Sequence, residues 1–276
     1  MSIICPLCQS QLQREDKRWR CENLHSFDIA KQGYCNLLPV QHKRSKSPGD
    51  DNDMVLARKA FLALGHYAPL SQAIVKHLKT QFNTHQLQLL DAGCGEGYYT
   101  NEVAKHFEQS GLQVDITGID ISKYAVKEAA KLNKQIKWFV ANSKQLPLNN
   151  HSQDVLLSLF APLQAKEFSR CLKNNGCLLV ASTGEQHLIE LRERLYDKVN
   201  SQVFEPIEHL KSDFQLSLKQ SIQFKFSLNS RLEKKQLLTM TPHYWKSTPQ
   251  RQKQFLNDQA ITLSADITLN LFHRKP

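Results

Sequence analysis

The sequence reads as an α/β protein: a mostly parallel, seven-stranded Rossmann-like sheet with helices on both faces, preceded by a small metal-binding module. Three observations predict this. An apolar run, Leu87 to Leu90, meets an acid, Asp91, and then a loop with glycine at every second position, Gly93, Gly95 and Gly97. Further apolar runs follow over 114–120, 136–140, 154–160 and 176–181, separated by helical patterns such as 99–107, 122–132 and 165–172. The chain also begins with Cys5-x2-Cys8-x12-Cys21-x3-His25, a spacing suited to one tetrahedral ion.

Near-continuous apolar runs suit parallel strands buried on both faces, and the intervening helices supply the cover. The last stretch offers a strand over 222–228, a polar helix from Arg231 and a strand over 261–272, which fit a terminal antiparallel hairpin. Upstream, a helix over 54–64 is stopped by Gly65, and Pro69 suits the first turn of another running to about 78. The segment 36–51 is polar, basic and broken by Pro39 and Pro48, so it reads as an exposed connector. The expected organisation is a metal module over 1–35, a basic connector with helices over 36–80 and the sheet domain over 81–276.

The glycine loop specifies the ligand. A dinucleotide fingerprint reads G-x-G-x-x-G and leaves a helix N-terminus free for pyrophosphate. This loop reads G-x-G-x-G and carries Glu96, a carboxylate that repels phosphate and suits an ammonium or sulfonium group. Asp120 ends the next strand, where a carboxylate suits two ribose hydroxyls. The pattern D-x-G-x-G-x-G resembles the first motif of class I S-adenosylmethionine-dependent methyltransferases. That resemblance implies that Asp91, Gly93, Gly95, Glu96, Gly97 and Asp120 hold S-adenosyl-L-methionine. It also implies that Asn142, where the fold usually has Asp, faces the adenine. The bland alternative is a structural glycine turn.

At the N-terminus, Cys5, Cys8, Cys21 and His25 form a zinc-ribbon-like knuckle, with short strands expected around 18–20 and 25–28. Four protein ligands leave no open position, so the zinc is structural. Unpaired reduced thiols are the plainer alternative. The other cysteines, Cys35, Cys94, Cys171 and Cys177, show no pairing pattern. Thiol usage, the start Met1–Ser2–Ile3–Ile4 leading directly into the knuckle, and the lack of any run long enough for a membrane suggest a cytoplasmic protein.

The 276 residues carry a formal net charge of +10, which attracts a polyanion. Basic residues gather at 14–20, 42–46 and 131–137. Singly each is a solvated face; together, one beside a zinc knuckle and one in a connector, they favour RNA.

The order of knuckle, DIAKQGY (28–34), NLLPVQHKR (36–44), PGD (48–50), Ala57–Arg58, Gly65–His66–Tyr67 and the glycine loop resembles one family across essentially the whole chain. This is the bacterial 23S rRNA guanine-N1 methyltransferase family of the RlmA/RrmA type. The resemblance implies methylation of N1 of a guanine, the 745-type position of hairpin 35, in a hairpin loop of domain II of 23S rRNA. It further implies that Tyr67, Gly95, Glu96 and His187 contact the cofactor and that the knuckle helps recognise rRNA. For His187 the alternative is a surface helix-capping histidine. A homodimer would help grip a large RNA, though the sequence leaves the assembly open.

No residue is marked as the base that must remove the N1 proton; Asp50, Asp53, Glu185 and His187 are candidates. Phe160 ends the fourth strand where the fold presents its substrate, and could stack on an extruded base or simply be core. An Asn/Asp-Pro-Pro-aromatic motif is absent there, which argues against exocyclic amine chemistry. Two other functions remain open: methylation of a small molecule such as a quinone precursor, and RNA binding without catalysis.

Overall fold

The computed structural model describes residues 3–39, 48–81, 86–200 and 202–275. The basic run 42–46 lies outside the described residues. An antiparallel ribbon comes first, β1 (Gln13–Glu15), β2 (Arg18–Arg20) and β3 (Ser26–Asp28). Next are β4 (Tyr34–Asn36), α1 (Asn52–Leu62) and α2 (Ala68–Gln81). The winding units follow: β5 (Gln86–Ala92), α3 (Tyr98–Gln109), β6 (Gln113–Asp120), α4 (Lys123–Leu132), β7 (Lys137–Val140), β8 (Gln153–Leu159), α5 (Ala165–Cys171) and β9 (Leu172–Thr183). The chain ends with α6 (Ile189–Leu195), α7 (Pro206–Leu210), β10 (Phe214–Leu228), α8 (Arg231–Met240), α9 (His243–Lys246), α10 (Pro249–Asn257) and β11 (Ile261–Arg274).

The helix ends follow local chemistry. Ser122 caps α4 by accepting the Ala125 N–H on its hydroxyl, and Val126, Ala129 and Ala130 turn the buried face to the sheet. Pro69 occupies the first turn of α2, where its missing N–H costs nothing. No helix among the described residues is long and apolar enough to cross a membrane.

The main sheet runs β10-β11-β9-β8-β5-β6-β7-β4. β11 is antiparallel to both β9 and β10, forming the expected terminal hairpin; the pairs from β9 to β4 are parallel. The sheet therefore has eight strands where seven were expected. The extra one is β4, supplied by the tail of the N-terminal module, with Tyr34 beside Trp138 and Asn36 beside Val140. Without it the outer edge of β7 would present unpaired backbone groups. The reading of 36–51 as exposed is corrected at its start for the same reason. Leu37 donates its N–H to the Val140 carbonyl at 2.9 Å, and Leu37 and Leu38 are buried.

The ribbon is fastened to the sheet, not tethered beside it. Ile4 donates to the Pro147 carbonyl at 2.9 Å. Ile3, Leu12 and Trp19 share a core with Ile119, Phe139 and Leu148, and the Trp19 ring meets Phe139 edge-on at 5.4 Å. A module this small buries too little apolar surface alone, and the sheet supplies the remainder.

The chain winds from β5 to β6 and β7, then returns to lay β8 on the other side of β5. In open α/β sheets a ligand crevice opens at such a reversal, beyond the carboxyl ends of the strands.

Candidate cofactor site and metal centre

A cavity of roughly 1260 Å³ occupies that crevice. Of the residues expected from the sequence, Tyr67, Asp91, Gly93, Gly95, Glu96, Asp120, Asn142 and His187 line it, with Asp50 and Glu185 of the base candidates. Asp53 is exposed on the first turn of α1, apart from the lining. Gly97 is also outside the lining.

The three glycines have different jobs. All sit at positive φ, between 55° and 96°, which bulky residues rarely adopt. A Cβ on Gly93 would lie 2.5 Å from Ala161, and one on Gly97 would lie 2.9 Å from Ala129 and Trp138. A Cβ on Gly95 would meet only the Arg58 guanidinium, at 3.8 Å. Gly93 and Gly97 thus let the protein close on itself, and Gly95 leaves space on the cavity side.

Asp50, Asp91, Glu96 and Asp120 gather about the glycine loop with the Arg58 guanidinium among them. Asp91 accepts the Thr100 hydroxyl on Oδ2 at 2.6 Å, while its Oδ1 has no hydrogen-bond partner among the described residues. Burial, reinforced by repulsion from Asp120 and Glu96, pushes its pKa up to about 7. Glu96 is likewise buried, and its Oε2 accepts no hydrogen bond among the described residues; burial raises it to about 7 against the pull of Arg58. Asp120 accepts the Gly95 N–H at 3.0 Å and the Ser122 N–H at 2.8 Å, fixing the loop to β6. Arg58, which the sequence reading did not assign to this site, lies 2.7 Å from Asp50 and 4.0 Å from Glu96, and donates to the Met240 carbonyl at 3.4 Å. Orphaned buried carboxylate oxygens are costly unless a cation arrives. The donor set fits a ligand carrying a sulfonium and an ammonium.

Asn142 folds its side chain into the turn after β7, its Oδ1 accepting the Lys144 N–H at 3.0 Å. His187 is no surface cap. Its Nδ1 accepts the Asp266 N–H at 3.3 Å, and its Nε2 lies 3.4 Å from the Tyr67 hydroxyl. Burial pushes the imidazole down to about 4, so the ring is neutral. Asp266, also missed, shapes the loop carrying it: the Gln186 N–H donates to its Oδ2 at 3.0 Å, and a Cβ on Gly184 would collide with its carboxylate at 2.3 Å. A lone Asp inside an apolar strand gave no spacing signal.

Phe160 is not core. It is 44% exposed, lines the cavity beside Tyr99 and holds φ at 56°, an uncommon conformation for an aromatic residue. The cavity lining continues to Arg192, Lys198, Lys246 and the exposed Trp245.

In the ribbon, two turns face each other. Gln9 donates to the Cys5 carbonyl at 2.8 Å and Leu24 to the Cys21 carbonyl at 3.0 Å. The His25 Nδ1 then lies 3.5, 3.3 and 3.5 Å from the sulfurs of Cys5, Cys8 and Cys21, and Cys8 lies 3.6 Å from Cys21. All four ligand atoms fall within 4.8 Å of one another. A tetrahedral zinc with bonds of about 2.0–2.3 Å has edges of about 3.5–3.8 Å, so the residues fit the ion. The remaining cysteines are buried free thiols.

Fold and site define an S-adenosylmethionine-dependent methyltransferase carrying a zinc ribbon. Residues 3–46 match the zinc-ribbon family described as RlmA, N-terminal, and residues 89–176 match a methyltransferase domain family. The structure of YcgJ from Bacillus subtilis shares the fold, with a TM-score of 0.51 at 16% identity over 76% of this chain and 100% of that one. A Streptomyces fradiae protein named 23S rRNA (guanine(748)-N(1))-methyltransferase is 36% identical, over 70% of this chain and 67% of its own. Bacillus subtilis (strain 168) YxjB, provisionally named a 23S rRNA (guanine-N(1)-)-methyltransferase, is 31% identical over 97% of this chain and 94% of its own. The chain belongs to the 23S rRNA (guanine-N1)-methyltransferase family.

Proposed function

We propose that this enzyme methylates N1 of a guanine in the hairpin 35 loop of 23S rRNA domain II, at the 745-type position. The observation that carries the reading is a carboxylate-lined crevice whose lining extends, through exposed Phe160 and Trp245, to the cations Arg192, Lys198 and Lys246. A small substrate needs no such apron; an RNA loop does. In this reading residues 1–35 serve RNA recognition and 81–276 the transfer, with 36–80 joining them.

When bound, S-adenosylmethionine supplies a methyl on a positively charged sulfur that departs as a neutral thioether. Asp91 and Glu96 would balance that charge, Asp120 would take the ribose hydroxyls, the turn held by Asn142 would border the adenine and the Tyr67–His187 pair would close the wall. Phe160 stacks on the guanine once it leaves the loop. The guanine N1 lone pair forms the new bond to carbon, and its proton must leave. Among the lining base candidates, Asp50 is held by Arg58 and the His187 Nδ1 is occupied, so we assign the proton to the exposed Glu185 carboxylate. Catalysis is then mainly alignment, with a base adding typically 10²–10⁴-fold.

The test is labelled cofactor with total RNA and metabolites from a strain lacking the gene, followed by primer extension. A stop at one hairpin 35 guanine supports the proposal and separates the 745-type from the 748 position. Label only on small metabolites, or none, overturns it. A dimer would present two such faces to one RNA, and sedimentation of the purified protein reads its state.

A further inference from the structure

A second recess, of about 220 Å³, lies on the opposite rim of the sheet from the cofactor cavity. Tyr34 and Trp138 are neighbours at the amino ends of β4 and β7, and the recess is built around those ends. Asp91, Asp120 and Asn142 lie at or beyond the carboxyl ends of their strands. The four residues of β7 separate the two rims by about 13 Å at about 3.3 Å per residue.

Its walls come from both modules. β1 supplies Arg14, the turn before β4 supplies Lys31, and the segment from α4 into β7 supplies Lys134 and Lys137. Two basic clusters more than a hundred residues apart in sequence meet here. Lys137 is neutralised by Asp115 at 2.7 Å. Arg14, Lys31 and Lys134 are exposed and pair with no carboxylate among the described residues, and no described carboxylate lines the recess. Two other cations of the same basic clusters are paired: Arg18 with Glu15 and Lys131 with Glu128. The aromatic residues of the lining, Trp19, Trp138 and Phe139, are all buried, so none offers a free ring face to a base. Cations without a stacking platform fit phosphate, not nucleobase.

We propose that this recess docks the sugar–phosphate backbone of the RNA stem carrying the modified loop, taking one or two phosphates between ribbon and sheet. It rests on the reading that the substrate is structured RNA. Contacts to phosphate carry no sequence information, but they fix orientation. The recess would set how the stem leaves the enzyme while the loop is in the crevice. Because Arg14 stands on the ribbon, zinc holds one wall of it in place.

The test is the zinc-loaded K31Q/K134Q double variant, which keeps side-chain length and removes two charges outside the cofactor cavity. The probe is a 23S rRNA fragment containing hairpin 35 with its full stem, titrated across salt concentration. Each phosphate contact contributes about 0.7–0.9 to the log–log salt slope, so the slope should become shallower by about 1–2. KM for the fragment should rise about tenfold, with kcat at saturating RNA and cofactor affinity unchanged. A K235Q/K253Q control, on α8 and α10, should leave the slope alone. An unchanged slope in the double variant, or an equal change in the control, overturns the recess. These binding measurements stand whether or not methyl transfer is detected; absence of transfer by the wild type sinks the function proposed above and not this contact.

Discussion

His187 stands between Tyr67 and Asp266, taking the Asp266 N–H on Nδ1 and facing the Tyr67 hydroxyl with Nε2. With Nδ1 accepting, the neutral ring carries its proton on Nε2 and donates to the tyrosine. One histidine thereby ties Tyr67, the residue before α2, to the loop after β9 on the wall of the cofactor cavity.

Its titration has a definite sign. The folded value, about 4, lies below the ordinary 6.5, so the unfolded chain binds more protons between them. Stability is therefore lost as pH falls from about 6.5 through about 4. His243, also lowered to about 4 by burial, adds to the same loss. Denaturant titrations from pH 7.5 to 4.5 should show a shallower acid decline in H187Q than in wild type. Calorimetry at pH 7.5 should show its cofactor binding weakened about tenfold.

Asp91 and Glu96 titrate with the opposite sign. Raised to about 7, they hold protons in the cofactor-free enzyme that an unfolded carboxylate has shed, so their contribution to stability is lost as pH rises toward and through about 7. Binding a sulfonium favours the ionised form. Affinity for S-adenosylmethionine should therefore climb several-fold between pH 6 and 8, and affinity for the uncharged thioether product should climb less. Equal pH dependence for the two would contradict the charge-balancing role.

Phe160 separates function from stability. A left-handed conformation costs a bulky residue about 1–3 kcal/mol, and glycine returns part of that in chain entropy. F160G should match or slightly exceed wild-type stability in thermal melts. Loss of one stacked base, worth about 1–3 kcal/mol, should lower kcat/KM for rRNA about 10–100-fold. Cofactor affinity should not move.

Zinc should be found at one ion per chain by native mass spectrometry. Chelation, or C8S, should lower the melting temperature by several degrees and open amide exchange in both the ribbon and β7, because β4 leaves with the ribbon. Exchange confined to residues 3–36 would mean that the module is energetically separate.

Sequence periodicity located β5 to β9 because a doubly covered strand is apolar almost throughout, and the knuckle was legible because ligand spacing is itself the signal. β4 was hidden: Tyr34–Cys35–Asn36 is too short for any period, and only the uncovered edge of β7 explains it. Arg58 and Asp266 were equally silent as site residues. Each acts through groups distant in sequence, Arg58 through Asp50, Glu96 and Met240, and Asp266 through Gly184 and His187. Exposure and φ are properties of the folded chain, so sequence alone does not decide between stacking and core for Phe160.

The pairing of Tyr34 with Trp138 also has a consequence for biosynthesis. A translating ribosome emits β4 about a hundred residues before its partner exists, an interval of about 5–20 s at ordinary elongation rates. Through that wait the ribbon lacks the sheet's share of its core, and a captured ion is the stabiliser it can hold without the sheet. Metal supply would then be felt while the polypeptide is still growing, as the fraction of newborn chains that mature, before it is felt in turnover by finished enzyme.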